Sequence, residues 1–425
     1  MKKVLSASLV MGASLLLPFS ALAGGIDEQS IMDELRSLKH QIQSQQDYIE
    51  KLESHIEDKI DARLSEKNQG ESRVVLANKF IDQLKLKGDL RVRYERRDTD
   101  YKDSDDDYAR DRWRTRFRLG GVWKNKQEDW EVGAGLATGG SGATSTNDTW
   151  SDDEPFETGD IRIDYAYAKH KMNDFAFTLG QHKNPYKTSW VMWDGDVRLA
   201  GVTGQYKNES GLFATLGGYG ASYDGDNMAM LYAGQLGFSG KADKLKYTLA
   251  AGYHTYDKSF INDADGENSL GNINPDEYEL NIGDIYGDVS LPVGKAKLKL
   301  YGHFWQNFGA DGADGESQAT SYLKSPEDAD TGWVLGLDAK INKFKVGYSY
   351  SVVEADSLYG FLADADFGDN IADTNKKGHK FKLGYSFTKN WSTGLTYLSY
   401  EYDEDHDGLS KDSVDLMQVD MKYKF

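Results

Sequence analysis

Gln418-Val419-Asp420-Met421-Lys422-Tyr423-Lys424-Phe425 ends the chain in strict alternation. Val419, Met421, Tyr423 and Phe425 fall on one side, and Gln418, Asp420, Lys422 and Lys424 on the other. Period two is the pleat of a β-strand with one apolar and one wet face. The pattern recurs upstream. Leu86, Leu90, Val92 and Tyr94 alternate with Lys87, Asp89, Arg91, Arg93 and Glu95, and Trp113, Phe117 and Leu119 alternate with Arg112, Arg114, Arg116 and Arg118. Phe344, Val346, Tyr348 and Tyr350 alternate with Lys345, Gly347 and Ser349, as do Phe381, Leu383, Tyr385 and Phe387 with Lys380 and Lys382. Each run is about ten residues, the length a tilted strand needs to cross hydrocarbon.

The connections sort by length. Short turns occur near Lys126, Asn173, Asn208, Lys241, Gly294, Asn342 and Asn390. Between them lie longer, acidic stretches: 98–111, 139–159, 183–196, 221–227, 257–277, 309–331, 354–378 and 403–413. Seven short turns and eight long loops in alternation join sixteen strands. A soluble sandwich has no reason to segregate loop length to one end, whereas a membrane barrel with periplasmic turns and extracellular loops requires it. The expected fold class is therefore all-β: a 16-stranded antiparallel transmembrane β-barrel over residues 84–425. A terminal aromatic on an amphipathic strand resembles the signal read by the outer-membrane assembly machinery. Trp113, Trp123, Tyr165, Tyr167, Trp391 and Tyr397 suit the aromatic girdles at the two interfaces.

Ahead of the barrel the period changes. Lys2 and Lys3, the apolar run from Val4 to Phe19 and Ala21-Leu22-Ala23 read as a cleaved signal peptide over residues 1–23. Leu35, Ile42, Ile49 and Ile56 then fall at heptad position a, and Ile31, Leu38 and Leu52 at d. Residues 24–66 are thus expected as an α-helical coiled coil and 67–83 as a linker. The order signal, coil, barrel places the protein in the outer membrane of a Gram-negative bacterium, with the coil in the periplasm. A net charge of -19 excludes a general nucleic-acid binder. The absence of cysteine excludes disulfides, thiolate metal sites and thiol catalysis.

With apolar faces toward lipid, the alternate faces line the lumen. Lys87, Arg91, Arg93, Arg112, Arg114, Arg116 and Arg118 then form a basic ladder on two adjacent strands. It is either a track for anionic solutes or a lattice of ion pairs that stiffens the wall. Acidic loops at the outer rim oppose it in sign, so the cation-or-anion preference stays open. The loop 183–196 carries Tyr186, Trp190 and Trp193; it either folds inward as a constriction or packs on a neighbouring subunit. Asp403, Asp405, Asp407 and Gly408 match the first half of a calcium loop, but Val414 stands at its twelfth position, so a solvated acidic loop is the default and Ca²⁺ the alternative. No other cofactor is expected. Scattered histidines, with no H-E-x-x-H and no G-x-S-x-G, point away from an enzyme.

The segments Leu86-Lys87-Gly88-Asp89-Leu90-Arg91-Val92-Arg93-Tyr94-Glu95, Arg110-Asp111-Arg112-Trp113-Arg114 and Leu136-Ala137-Thr138-Gly139 resemble an outer-membrane porin family of Gram-negative bacteria. Leu179-Gly180-Gln181, Asn184-Pro185 and Trp193-Asp194 extend the likeness, which covers roughly residues 84–425. It implies a homotrimer in lipid and lipopolysaccharide, with the helices forming a stalk toward the cell wall. Three functions follow as expectations: a water-filled porin for small hydrophilic solutes or ions, a structural or adhesive protein tied to peptidoglycan through the coil, and a barrel-scaffolded surface hydrolase.

Overall fold

The computed structural model describes residues 33, 36–37, 39–48, 72–74, 83–101, 108–125, 129–140, 142–151, 154–223, 228–257, 279–311, 325–368, 374–403 and 413–425. The expected signal peptide, most of the heptad positions, and Asp405 and Asp407 lie outside them. The chain divides into two units, residues 1–69 and 70–425. In the first, residues 39–48 are α-helical, and Ile42 and Tyr48 are 56% and 65% exposed.

The second unit is a ring of sixteen antiparallel strands. They are β1 (Gln83–Asp100), β2 (Tyr108–Asn125), β3 (Trp130–Thr138), β4 (Ile161–Met172), β5 (Phe175–Lys183), β6 (Arg198–Lys207), β7 (Leu212–Tyr223) and β8 (Met228–Ala242). The ring continues with β9 (Leu245–Tyr256), β10 (Asn281–Val293), β11 (Ala296–Asn307), β12 (Thr331–Ile341), β13 (Phe344–Val353), β14 (Lys376–Ser386), β15 (Trp391–Tyr402) and β16 (Ser413–Lys424). Each pairs with its successor, and β16 pairs with β1 from Ser413↔Asp100 to Lys424↔Asp89, so the ring has no open edge. The seam ends on Phe425, whose carbonyl accepts from the Gly88 amide at 2.9 Å. Below it, within the stretch expected as linker, Ser72–Val74 pairs antiparallel with Leu84–Leu86.

The turn chemistry accounts for the short end of the barrel. Asn173, Asp243 and Asn342 each open a two-residue turn at φ 52°, and Gly294 opens another at φ 58°. Asn, Asp and Gly are the residues that tolerate this left-handed conformation, which matches the twist of a hairpin. The apolar faces point outward as expected: Leu90, Trp113, Leu119, Phe344, Val346, Phe381, Leu383 and Val419 are all exposed on the wall.

One aromatic pair departs from expectation. Tyr165 and Tyr167 are not girdle residues but face the lumen, where the Tyr167 hydroxyl donates to Glu131 at 2.7 Å. The cause is a β-bulge between Gly135 and Leu136, where β4 gains a residue against β3 and its inward phase shifts. Their rings lie over Gly133 and Gly135, where a Cβ would overlap them.

The barrel also has an apolar core inside its bore. Trp305, Tyr219, Leu231, Ile282, Val334 and Leu398 are buried there, on inward positions that strict alternation would have left to water, and Leu358 and Phe367 of the loop between β13 and β14 are buried with them. Inward-folded loops cover them.

Candidate functional site

The loop between β5 and β6 crosses the bore. It leaves β5 at Lys183, and the Tyr186 hydroxyl reaches Tyr219 of β7 and the Ala233 carbonyl of β8, both at 3.0 Å. Gln235 of β8 clasps the Lys187 backbone, accepting from its amide at 2.7 Å and donating to its carbonyl at 2.8 Å. Ser189 bonds His303 of β11, and the Trp190 indole donates to Ser349 of β13 at 3.2 Å. Trp193 is buried between Tyr186 and His254.

The loop between β13 and β14 folds in to meet it. The Asp194 amide donates to the Leu362 carbonyl at 2.7 Å, and the Asp364 amide to the Val191 carbonyl at 3.3 Å. Phe367 packs edge-on against Trp190, and Lys380 of β14 lies 3.4 Å over the Trp190 ring while pairing with Asp364 at 3.1 Å. Two inward loops therefore close one side of the bore. Of their carboxylates, Asp194, Asp196 and Asp366 face the opposite side.

That opposite side is the basic ladder. Arg91, Arg93, Arg112, Arg114, Arg116 and Arg118 face inward on β1 and β2, in direct register: Arg91↔Arg116, Arg93↔Arg114 and Glu95↔Arg112. Guanidiniums this close need anions between them, and the structure supplies them. Asp89 takes Arg116 at 2.7 Å and Arg118 at 2.8 Å. Asp420 on β16 binds both forks of Arg93, at 2.8 and 3.2 Å. Glu95 accepts from Arg112 at 2.5 Å and lies 3.8 Å from Arg93 and Arg114. From the loops, Asp196 pairs with Arg118 at 3.4 Å and Asp366 with Arg93 at 3.7 Å. Asn147 bonds Arg91, and Ser145 accepts from Arg114 at 3.3 Å. Even so, the Nε atoms of Arg91 and Arg114 are buried with no hydrogen-bond partner among the described residues.

The loop carboxylates separate by environment. Burial opposes ionisation of Asp196, yet Arg116 and a hydrogen bond from Thr146 outweigh it and hold that carboxyl below its usual range. Burial likewise opposes Asp366, and Arg93 and Lys380 more than offset it. Asp194 has no such partner. Burial, then the repulsion of Asp364, push it well above the ordinary carboxylate range.

Two cavities follow the ladder. An upper one of about 530 Å³ is lined by Arg91, Arg93, Arg110, Arg112 and Arg114 opposite Asp194, Asp196 and Asp366. A lower one of about 650 Å³, toward the short turns, is lined by lysines of β11 to β16 with Asp338 and Asp420. Lys297, Lys340, Lys345, Lys382 and Lys424 in it have no ion-pair partner among the described residues. Lys87, the remaining ladder residue, is exposed at the same end of β1. Asp420 borders the lower cavity and pairs with Arg93, which borders the upper.

Of the calcium-loop aspartates, Asp403 lies in the described residues and pairs with Lys377 at 3.2 Å. No cluster of three His, Asp or Glu suited to a metal exists among the described residues.

Residues 98–269 match a family model described as "Putative porin". That stretch is similar to the putative-porin family. Among solved structures, OprB of Pseudomonas putida, in its high-pH structure, superposes on this barrel with a TM-score of 0.52 at 12% identity, covering 80% of this chain and 94% of that one. DcaP, an outer-membrane channel of Acinetobacter baumannii, gives 0.48 at 12% identity, covering 81% and 97%. An anion-selective porin from Comamonas acidovorans gives 0.47 at 12% identity, covering 80% and 99%. The OprB likeness is one of fold. No curated protein matches the sequence.

Proposed function

We propose that this outer-membrane porin is a diffusion channel for small hydrophilic solutes that favours anions. One observation carries the reading: arginines line the upper cavity and lysines the lower one, on neighbouring strands of the same wall. In the upper half the carboxylates are already engaged by the arginines they neutralise. In the lower half the lysines outnumber the acids. A water-filled bore lined this way concentrates anions and repels cations. The inward loop with Tyr186, Trp190 and Trp193 serves as its constriction.

We further infer a homotrimer. The wall is low on one side, since β3 and β5 have nine residues each against eighteen in β1 and β2. That side carries strongly exposed apolar residues, Leu136, Ile161, Ile163 and Leu179. A short wall spans hydrocarbon poorly unless neighbouring subunits cover it. The heptads of the N-terminal unit are then the periplasmic stalk of the trimer.

Planar-bilayer recording of the full-length protein tests the function. Stepwise, ohmic conductance with a reversal potential on the anion side supports it. A barrel that gives no steps and instead co-sediments with peptidoglycan through residues 31–64 would overturn it in favour of a tether.

A further inference from the structure

Under the constriction loop lies a buried polar relay that neither conduction nor the arginine ladder uses. Ser189, at the loop's turn, donates its backbone amide to Nδ1 of His303 at 3.2 Å, and its hydroxyl lies 2.9 Å from the same atom. Nε2 of His303 lies 3.0 Å from Asp284 Oδ1, and Nε2 of His254 lies 3.3 Å from Asp284 Oδ2. Ser189, His303, Asp284 and His254 are all buried. The order Ser–His–Asp is that of a nucleophile relay. Here Ser189 lines neither of the cavities described above, so its hydroxyl meets no substrate. The relay joins the loop to the wall.

The hydrogen-bond directions fix the protonation state. A backbone N–H can only donate, so Nδ1 of His303 must accept and carries no proton. The proton of His303 is therefore on Nε2, donated to Asp284, and the ring is neutral. Protonating His303 leaves the Asp284 contact in place and removes the acceptor that Ser189 needs. Acid thus breaks the loop side of the relay and spares the wall side. The groups facing His303 are Asp284 and Tyr286 of β10, His254 of β9, and Ser189 itself. Asp194 of this loop and Asp364 of the loop between β13 and β14 repel each other and form another titrating pair.

We propose that Ser189, His303 and Asp284, with His254 beside Asp284, form a pH-sensitive latch on the constriction loop. It is closed near neutrality and released when the imidazole of His303 gains a proton. The proposal deepens the channel reading, so its test includes one measurement that does not need conduction. The chain lacks cysteine, so Thr188→Cys gives a single attachment point for a nitroxide beside Ser189. Its mobility is recorded in the full-length protein in lipid vesicles between about pH 7.5 and about pH 4.5. Single-channel closing events are counted over the same range.

In the native background, acidification should raise the mobile fraction and the closing frequency by about fivefold, the shift that loss of one ordinary hydrogen bond gives. His303→Gln, whose amide can accept from Ser189 and donate to Asp284 but does not titrate, should abolish most of both responses. His303→Ala should show the acid-like state at every pH. A heat-modifiable gel shift confirms that each variant is folded. Equal mobility at both pH values in the native protein overturns the latch. So does an undiminished response in His303→Gln, which would assign it to Asp194 and Asp364. A latch that works in a barrel without steps would leave the latch standing and remove the channel.

Discussion

Asp420 and Arg93 are 327 positions apart in the chain and 2.8 Å apart in the barrel. The ladder itself was legible, because arginine at every second position can only be one face of a strand. Its partners were not. Asp420, Asp366 and Asp196 come from the last strand and from two loops, and no local pattern ties them to β1 and β2. The choice between track and lattice therefore depended on contacts that only closure creates, and the structure shows ion pairs beside unpartnered donors. Asp420→Asn should leave Arg93 buried with one strong partner fewer, at a cost of roughly 3 kcal/mol. The check is the temperature at which the folded band is lost on a denaturing gel. Asp194 should behave in the opposite sense. Its folded pKa is raised, so it costs nothing below the unfolded value, and the cost grows as pH rises through the folded one. Asp194→Asn keeps the acceptor for the Asp196 amide. It should raise the same transition temperature at about pH 8 and leave it unchanged near pH 4, by the carboxylate reference value.

At the scale of elements, strand number, facing and turns were readable because period two and Asn, Asp or Gly at φ near 52° have direct physical causes. Two features broke the pattern. The bulge at Gly135 reversed the facing of Tyr165 and Tyr167, and a one-residue slip leaves no trace in hydrophobicity alone. The inward loops made apolar inward positions useful, so Trp305 and Val334 are core residues inside a pore. In the loop 183–196 the aromatic residues were visible, but which surface they meet was not. Its hold on the wall can be weakened one contact at a time. Tyr186→Phe removes the bonds to Tyr219 and the Ala233 carbonyl, a loss of about 1–2 kcal/mol. The expected result is noisier open-channel current with unchanged ion preference. Current as quiet as the native trace would show that these bonds do not hold the loop.

At the scale of the whole molecule, the ring closes on itself and has one low side. Coverage of the low side by neighbouring subunits predicts that a chain starting at residue 70 still assembles as a trimer, measured by light scattering in detergent. Monomers from that truncation would give the helices the assembling role. Charge is the other property of the whole. The upper bore balances arginines against carboxylates, while the lower bore is basic. Removing two guanidiniums should therefore do more than weaken the positive field, since Asp89 and Glu95 would lose partners. The most direct test is the reversal potential of Arg114→Ala with Arg116→Ala in a planar bilayer under a KCl gradient. The native channel should reverse on the anion side, and the double variant should move toward or past zero. A native channel that reverses on the cation side, or a double variant that keeps the native potential, would contradict an anion path along this wall.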